Sequence, residues 1–416
     1  MGMRSAPGRS RRPGPGAALR IGLFTNNYRP LQSGLATSVD SFAEAFRRAG
    51  HTVTVVAPRY PGAADREPGL LRVPGLAAPT HHAYVLPCPA YPGVAAAVAA
   101  LDLDIYHAQH PFLLGAAARR WARRAGRPLV FTYHTHYDRY AHYVPGPARL
   151  VARLAVAAAL RMANAADLVV APSAAVARLL RTRGVEAPVI VVPTGVPLPP
   201  LPDPAGRERL RRRMGGWDGA PLCLSVGRLA PEKNLGFLLR AFASLSARCP
   251  RARLALVGEG DDRARLERLA AELGIRERVV FVGSLPHADV LDYYLAADLF
   301  LFSSTSETQG LAALEAMAAA LPVIAVPSEA TAELFAGGRG GLLAPQEADR
   351  FGAAAAGLWA DRERRMALAE EARALAARYA PEASAAALLT AYARLIRGRQ
   401  AAGSPLRLRS SREART

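Results

Sequence analysis

Short apolar runs alternate with helical patterns in two successive series along this chain, parted by one proline-rich break, and few folds accommodate that arrangement. The first series opens with Leu19-Arg20-Ile21-Gly22-Leu23-Phe24 and continues through Thr52 to Val56, Asp104 to Tyr106, Leu129 to Thr132, Leu168 to Val170 and Val189 to Val192. The second opens with Leu222-Cys223-Leu224-Ser225-Val226 and continues through Leu254 to Val257, Val279 to Val282, Leu299 to Phe302 and Val323 to Val326. Runs that are apolar throughout, rather than alternating, suit strands covered on both faces, and the segments between them carry helical periodicity. The pattern predicts an α/β protein of two doubly wound, Rossmann-like parallel-sheet domains facing a cleft. The expected divisions are a basic tail at 1–18, a first domain at 19–196, a linker at 197–218 rich in proline, and a second domain at 219–378. A helix at 379–397 and a basic tail at 398–416 follow.

Composition supports this division and narrows the setting. The chain has 416 residues, enough for two cores, and at 51% hydrophobic it is not a disordered protein. No apolar run reaches the length of a membrane span, since Leu150 to Leu160 is short and broken by Arg153. The arginine-, proline- and glycine-rich first residues do not resemble a secretory signal. Cys88, Cys223 and Cys249 are odd in number and far apart, which points to a reducing cytoplasm. The net charge of +19 comes mostly from arginine gathered at the two ends and in two helical clusters. One surrounds Trp121 (Arg119, Arg120, Arg123, Arg124, Arg127), and the other is Arg149, Arg153 and Arg161. Basic amphipathic helices of this kind suit an anionic membrane surface, or are solvated faces of an arginine-rich protein. Nucleic acid is not an expected partner, because neither zinc-finger spacing nor an aromatic platform is present.

In open parallel sheets ligands bind beyond the carboxyl ends of the strands, so the loops there hold the candidate chemistry. The segment Ser306-Glu307-Thr308-Gln309-Gly310-Leu311-Ala312-Ala313-Leu314-Glu315 places two carboxylates around a glycine where a helix begins. A helix amino end suits a phosphate, and carboxylates beside it suit sugar or ribose hydroxyls. On another loop of the second series, Gly227-Arg228-Leu229-Ala230-Pro231-Glu232-Lys233-Asn234 brings two cations, with Asn234 expected to cap the next helix. Gly258-Glu259-Gly260-Asp261 adds a small-residue turn, weak evidence by itself. Two acids also serve glycosidases, but those bracket the bond they cleave, whereas Glu307 and Glu315 flank an anion site on one domain. Asp102-Leu103-Asp104 precedes a strand and reads as a loop and cap, so no tightly bound metal is expected.

Together these motifs resemble the retaining glycosyltransferase family 4, whose fold is the two-domain GT-B architecture. The likeness covers most of residues 19–397. It implies a nucleotide-sugar donor, UDP-glucose foremost, bound by Gly34, Gly227, Arg228, Lys233, Gly258, Glu307, Thr308, Gln309, Gly310, Leu311 and Glu315. Within that set it implies Arg228 and Lys233 on the diphosphate, Glu307 at the transferred sugar and Glu315 at the ribose. His134, in Tyr133-His134-Thr135-His136-Tyr137, matches the family's histidine near the reacting sugar, so the implied catalytic set is His134, Arg228, Lys233 and Glu307. His107, His110, His134 and Tyr137 are the implied acceptor-side residues, while His136 and His142 read as structural. The combined pattern is most similar to the subgroup that glucosylates diacylglycerol. It implies a lipid acceptor and a cytoplasmic, peripheral enzyme held on the inner face of the cell membrane by its basic helices. Ala320 stands where the family usually has glycine, a departure expected to concern packing behind the donor loop. The same chemistry on a soluble acceptor, a sugar-nucleotide epimerase and a noncatalytic binder are the alternatives.

Overall fold

The computed structural model describes residues 17–62, 67–78, 84–139, 147–215, 219–335 and 338–402. Most of both basic tails, and His142, lie outside the described residues. The first half runs β1 (Arg20–Phe24), α1 (Gly34–Arg48), β2 (Thr52–Pro58), β3 (Leu70–Val73), β4 (Gly75–Ala77), β5 (Val85–Pro87), α2 (Val94–Ala100), β6 (Ile105–Ala108), α3 (Leu114–Ala125), β7 (Leu129–Thr132), α4 (Ala148–Ala165), β8 (Leu168–Ala171), α5 (Ala174–Thr182) and β9 (Val189–Val191). The second runs α6 (Pro204–Arg213), β10 (Leu222–Val226), α7 (Leu235–Arg248), β11 (Arg253–Val257), α8 (Arg263–Glu272), β12 (Val279–Gly283), α9 (His287–Ala296), β13 (Leu299–Phe302), α10 (Leu311–Ala318), β14 (Val323–Ala325), α11 (Glu329–Leu334), β15 (Leu342–Leu343), α12 (Ala348–Ala360), α13 (Arg362–Ala376) and α14 (Pro381–Ala402). Two parallel sheets result, ordered β3-β2-β1-β6-β7-β8-β9 and β12-β11-β10-β13-β14-β15.

Both sheets reverse their winding direction beside their first strand, between β1 and β6 and between β10 and β13. Adjacent loops diverge at such a reversal and leave a crevice beyond the strand ends. The loops after β1, β6, β10 and β13 are therefore the ones the fold opens to a ligand. Strands β6, β7, β8 and β13 are buried at every position, as expected for sheets covered on both faces.

Three parts of the fold differ from the sequence reading. The stretch expected as a linker contains α6, whose Arg207 and Arg211 hold the Asp298 carboxylate at 2.8 and 2.6 Å, so it is docked on the second sheet. Trp121 is buried against Phe24 in the core, so the arginine cluster on α3 has no exposed aromatic to offer a membrane. Strands β4 and β5 form an antiparallel hairpin that no pattern announced, with Leu76 and Leu86 paired across it and exposed.

Helix α14 returns from the second half to cover the first sheet, burying Ala385, Leu388, Tyr392 and Ile396 among Phe42, Phe46 and Val55. Its polar anchor is His107 on β6, expected from the family likeness to face the acceptor. Instead His107 is 1% exposed, with Nε2 at 2.7 Å from Thr132 Oγ1 and Nδ1 at 2.6 Å from the Tyr392 hydroxyl. One nitrogen donates and the other accepts, which suits a neutral imidazole, and burial holds its pKa down at about 3.

Ala320 adopts φ of +54°, the left-handed region where a Cβ costs about 1–2 kcal/mol. The departure from glycine therefore bears on backbone strain rather than on packing. Ala320→Gly is expected to raise stability by about 0.5–1 kcal/mol, after allowing for the greater chain entropy of glycine, read as a higher unfolding midpoint. His107 supplies a pH signature. Its folded pKa lies below the usual 6.5, so its contribution is complete above pH 6.5 and drains away as pH falls towards 3. Unfolding free energy measured from pH 7 to 4 should fall less steeply in His107→Gln than in the parent, by about one proton in the slope. Equal slopes would show that His107 is not the titrating group.

Candidate active site

The β10 loop lies on the turn after β11. Leu229 N–H donates to Glu259 O at 3.0 Å and Asp262 N–H to Leu229 O at 3.1 Å, so the two loops share backbone bonds. A Cβ on Gly258 would stand 2.0 Å from Gly227 O, and one on Gly260 2.2 Å from Leu229 O. Glycine is required there for backbone to meet backbone, which gives Gly258 a supporting place beneath Gly227. Asn234 sits at the start of α7 with no capping bond; its amide reaches Ser303 O at 3.4 Å and ties this loop to the end of β13.

The loop's two cations face carboxylates. Lys233 Nζ lies 2.5 Å from Glu307 Oε1, and Arg228 lies 3.3 Å from Glu232 while donating to the Tyr84 hydroxyl of the first half at 3.1 Å. Burial alone would raise the Glu307 carboxyl, but the Lys233 charge and hydrogen bond, helped by Ser304 and His136, bring it below its ordinary value. Glu307 is thus ionised at neutral pH. Glu232 and His136, neither singled out for this site from sequence, complete the polar set, with burial holding the His136 ring below its ordinary pKa; the Glu232 carbonyl also accepts from Ser306 Oγ at 3.1 Å.

Gly310, at φ of +81°, turns the chain into α10. Its helix start faces that of α1 across the cleft, and a Cβ on Gly34 would lie 3.8 Å from Leu311 of α10. Two amino ends converge where an anionic group would enter. Between Glu307 and Gly310, however, the side chains expected on the donor turn the other way. Thr308 Oγ1 donates to His134 O at 3.0 Å, and its own carbonyl accepts from Ser173 Oγ at 2.6 Å. Gln309 grips the Thr194 backbone twice, at 2.8 and 2.9 Å. These two side chains join the halves. Glu333 does the same nearby, its two oxygens accepting from Ala174 and Ala175 N–H at the start of α5.

Glu315 lies one turn into α10, accepting from Tyr294 OH at 2.9 Å, with burial raising its pKa. On the facing half, His134 Nε2 is 2.7 Å from Gln109 Oε1, which makes Nε2 the donor and Nδ1 an acceptor. Burial first, then repulsion from His110 and His107, lowers His134 to about 3, so the ring is neutral. His110 is lowered to about 4 by burial, and its Nδ1 accepts from Asn26 N–H at 3.1 Å, which shapes the loop after β1. Tyr137 is packed edge-on between Phe112 and Tyr133 and is buried, so it belongs to the core beneath the histidine segment rather than to an acceptor surface. Arg228, Lys233, Glu307, Gly34 and Leu311 are thus gathered into one cleft, with His134 bonded to its loop, while His107 and Tyr137 are not. Gln109, read from its place after a strand as a lining of the acceptor channel, instead holds the His134 ring, while Ser173, Thr194 and Glu333 escaped sequence reasoning because their partners lie on distant segments.

The family model for Glycosyltransferase Family 4 matches residues 32–198, and that for glycosyl transferases group 1 matches residues 207–375. An alpha-monoglucosyldiacylglycerol synthase of Streptococcus pneumoniae is 33% identical over 315 residues, covering 74% of this chain and 71% of that protein. A GDP-mannose-dependent alpha-mannosyltransferase of Mycobacterium tuberculosis is 33% identical over 333 residues, covering 79% and 84%. Among solved structures, Anabaena HepE in complex with UDP-glucose matches with a TM-score of 0.73 at 21% identity, over 90% of this chain and 99% of that one. Two spaced cations, two spaced carboxylates and two facing sheets therefore have one common explanation: this chain belongs to glycosyltransferase family 4, a hexosyltransferase built on the GT-B fold.

Proposed function

We propose that the cleft transfers glucose from UDP-glucose to a membrane lipid acceptor such as diacylglycerol, with retention of anomeric configuration. The observation that carries the reading is the Lys233–Glu307 pair, set beside the facing amino ends of α1 and α10. The diphosphate takes the helix ends together with Arg228 and Lys233, and Glu307 then turns its carboxylate to the sugar hydroxyls. Glu315 accepts from the ribose. The acceptor hydroxyl approaches the anomeric carbon on the face the diphosphate leaves. As the carbon–phosphate-oxygen bond breaks, the new carbon–oxygen bond forms, and the hydroxyl proton passes to the departing diphosphate oxygen. The fixed cations stabilise the charge developing there, and neutral His134 orients hydroxyls without adding charge.

The likeness to the pneumococcal glucosyldiacylglycerol synthase and the UDP-glucose complex of Anabaena HepE support this donor and acceptor. A lipid acceptor is further supported by exposed apolar side chains on the first half. Leu76 and Leu86 stand on the hairpin whose second strand follows directly on Tyr84, the partner of Arg228, and Leu150 and Leu154 are exposed on α4 beside Arg149 and Arg153. No helix among the described residues is long and apolar enough to cross a membrane. On this reading the same surface meets the cytoplasmic face of the cell membrane, arginine on anionic headgroups and leucine at their base.

Purified protein incubated with UDP-glucose, UDP-galactose or GDP-mannose and diacylglycerol vesicles should form glucosyldiacylglycerol from the first. Glu307→Ala should lower kcat by about a hundredfold or more, as for loss of one preorganised polar group at the reacting centre. Full activity in that variant would remove the site assignment. Gln309→Ala tests the joining of the halves: kcat should fall by roughly tenfold, as expected for two lost hydrogen bonds, while UDP affinity measured by calorimetry stays within about twofold. Equal losses in both would make Gln309 a donor ligand instead.

A further inference from the structure

Arg72 on β3 is a buried cation with no carboxylate. It is 8% exposed, and its one hydrogen bond runs from Nη1 to Pro58 O at 3.0 Å; among the described residues no acid lies within ion-pair distance. Glu67, the acid whose charge it feels most, is bonded to Arg29 at 2.8 Å. The guanidinium is flanked by the rings of Tyr28 and Tyr60, each centroid 6.0 Å from Cζ. Two buried polar atoms here have no partner, Arg72 Nε and the Tyr60 hydroxyl. Tyr60 is 5% exposed. A buried charge without a counterion costs several kcal/mol, and a buried donor without an acceptor adds more, so a protein retains such a group where something else completes it.

The place of this group in the fold says what completes it. Arg72 is the last residue but one of β3, Pro58 ends the neighbouring β2, and Tyr28 lies in the loop after β1, so the group stands at the carboxyl edge of the first sheet, where ligands bind in such folds. Tyr84, close enough to act on Tyr60 electrostatically, takes the hydrogen bond from Arg228. The guanidinium thus stands one tyrosine beyond the donor cations, on the acceptor side. Two residues after Val73 the chain enters the hairpin that exposes Leu76 and Leu86.

We infer that Arg72 and Tyr60 form a phosphate subsite beside the acceptor position, taking a phosphate ester through charge-assisted bonds from the guanidinium and one from the tyrosine hydroxyl. The inference rests on the reading that the first half holds the acceptor, and it moves that acceptor from diacylglycerol, which has no phosphate, to a phosphate ester. The small residual exposure of Arg72 and Tyr60 leaves an edge that a compact anion can reach. The ester is either part of a lipid whose chains meet the hairpin leucines or a free polyol phosphate.

Binding measured apart from transfer distinguishes this subsite from the donor reading. Glycerol 3-phosphate titrated into the full chain, with UDP saturating the donor half, should bind, and glycerol should not. Arg72→Gln should weaken that binding roughly ten- to hundredfold, and Arg72→Lys less, with UDP affinity unchanged. Tyr60→Phe, which removes only a hydroxyl, should weaken it several-fold and keeps the test decisive if Arg72→Gln fails to fold. Vesicles containing phosphatidic acid that retain the parent more than Arg72→Gln, and release it to glycerol 3-phosphate, would identify a lipid source; binding of the free ester alone would identify a soluble one. Equal glycerol 3-phosphate binding by the parent, Arg72→Gln and Tyr60→Phe, or none by the parent, would overturn the subsite. Failure of hexose transfer in the parent would instead overturn the acceptor reading, and the titration would still report on Arg72.

Discussion

The loop from Thr305 to Gly310 belongs by chain to the second half and by hydrogen bonding to the first. Its backbone leaves β13, but the carbonyls of Thr305 and Thr308 accept from Arg139 and Ser173, and the Thr308 and Gln309 side chains bond the backbone of His134 and Thr194. Polar groups inside an interface must find partners there, because water is excluded. The loop therefore draws its shape from contacts on both halves. Glu307 stands at its centre, so the position of that carboxylate is a property of the closed molecule and not of either sheet alone. Its charge is balanced by Lys233, which holds the Glu307 carboxyl below its ordinary value in partly desolvated surroundings.

Other joints follow the same logic of a polar group that is paid back by a distant segment. His107 is stable as a neutral ring in the core because Tyr392 arrives on α14, the last helix, to complete it. Asp298, at the start of β13, is held by α6, by Arg207 and Arg211, and by the Leu222 N–H of β10. The start of β13 is thereby fixed against β10 from below while its far end carries the Glu307 loop. Rigidity at one end of the strand lets the other end hold its register against the facing half, which preorganises a binding residue carried there.

The strands were legible because buried parallel strands are uniformly apolar, and the α10 start was legible because Gly310 and the spacing of Leu311, Leu314 and Met317 mark it locally. Arg228, Lys233 and Glu307 were legible as a set from their places after strands. What the sequence did not disclose is direction. Thr308 and Gln309 lie inside the right motif, yet they point at the opposite half, and nothing in a one-dimensional pattern distinguishes a side chain aimed at a ligand from one aimed at another domain. His107 misled for the same reason: a histidine after a strand looks the same whether Tyr392 covers it or not. The β4–β5 hairpin is made of three-residue strands, too short for periodicity to reveal.

This difference in legibility has a physical origin that bears on how such an enzyme changes substrate. In the proposed function the second half takes an anion with backbone amides, helix ends and glycines, features that demand particular residue types and so mark the sequence. The acceptor side proposed for the first half relies instead on side chains carried on a loop, a short strand and a hairpin: Tyr28, Tyr60, Arg72 and Tyr84. None of these residue types is required by the backbone at its position, so each can be exchanged without disturbing the sheet beneath. The two relatives named above, a glucosyldiacylglycerol synthase and a GDP-mannose-dependent mannosyltransferase, stand at equal identity to this chain and differ in the sugar they transfer. On the proposed reading, a common frame holds the leaving diphosphate while exchangeable side chains across the cleft decide what receives the sugar.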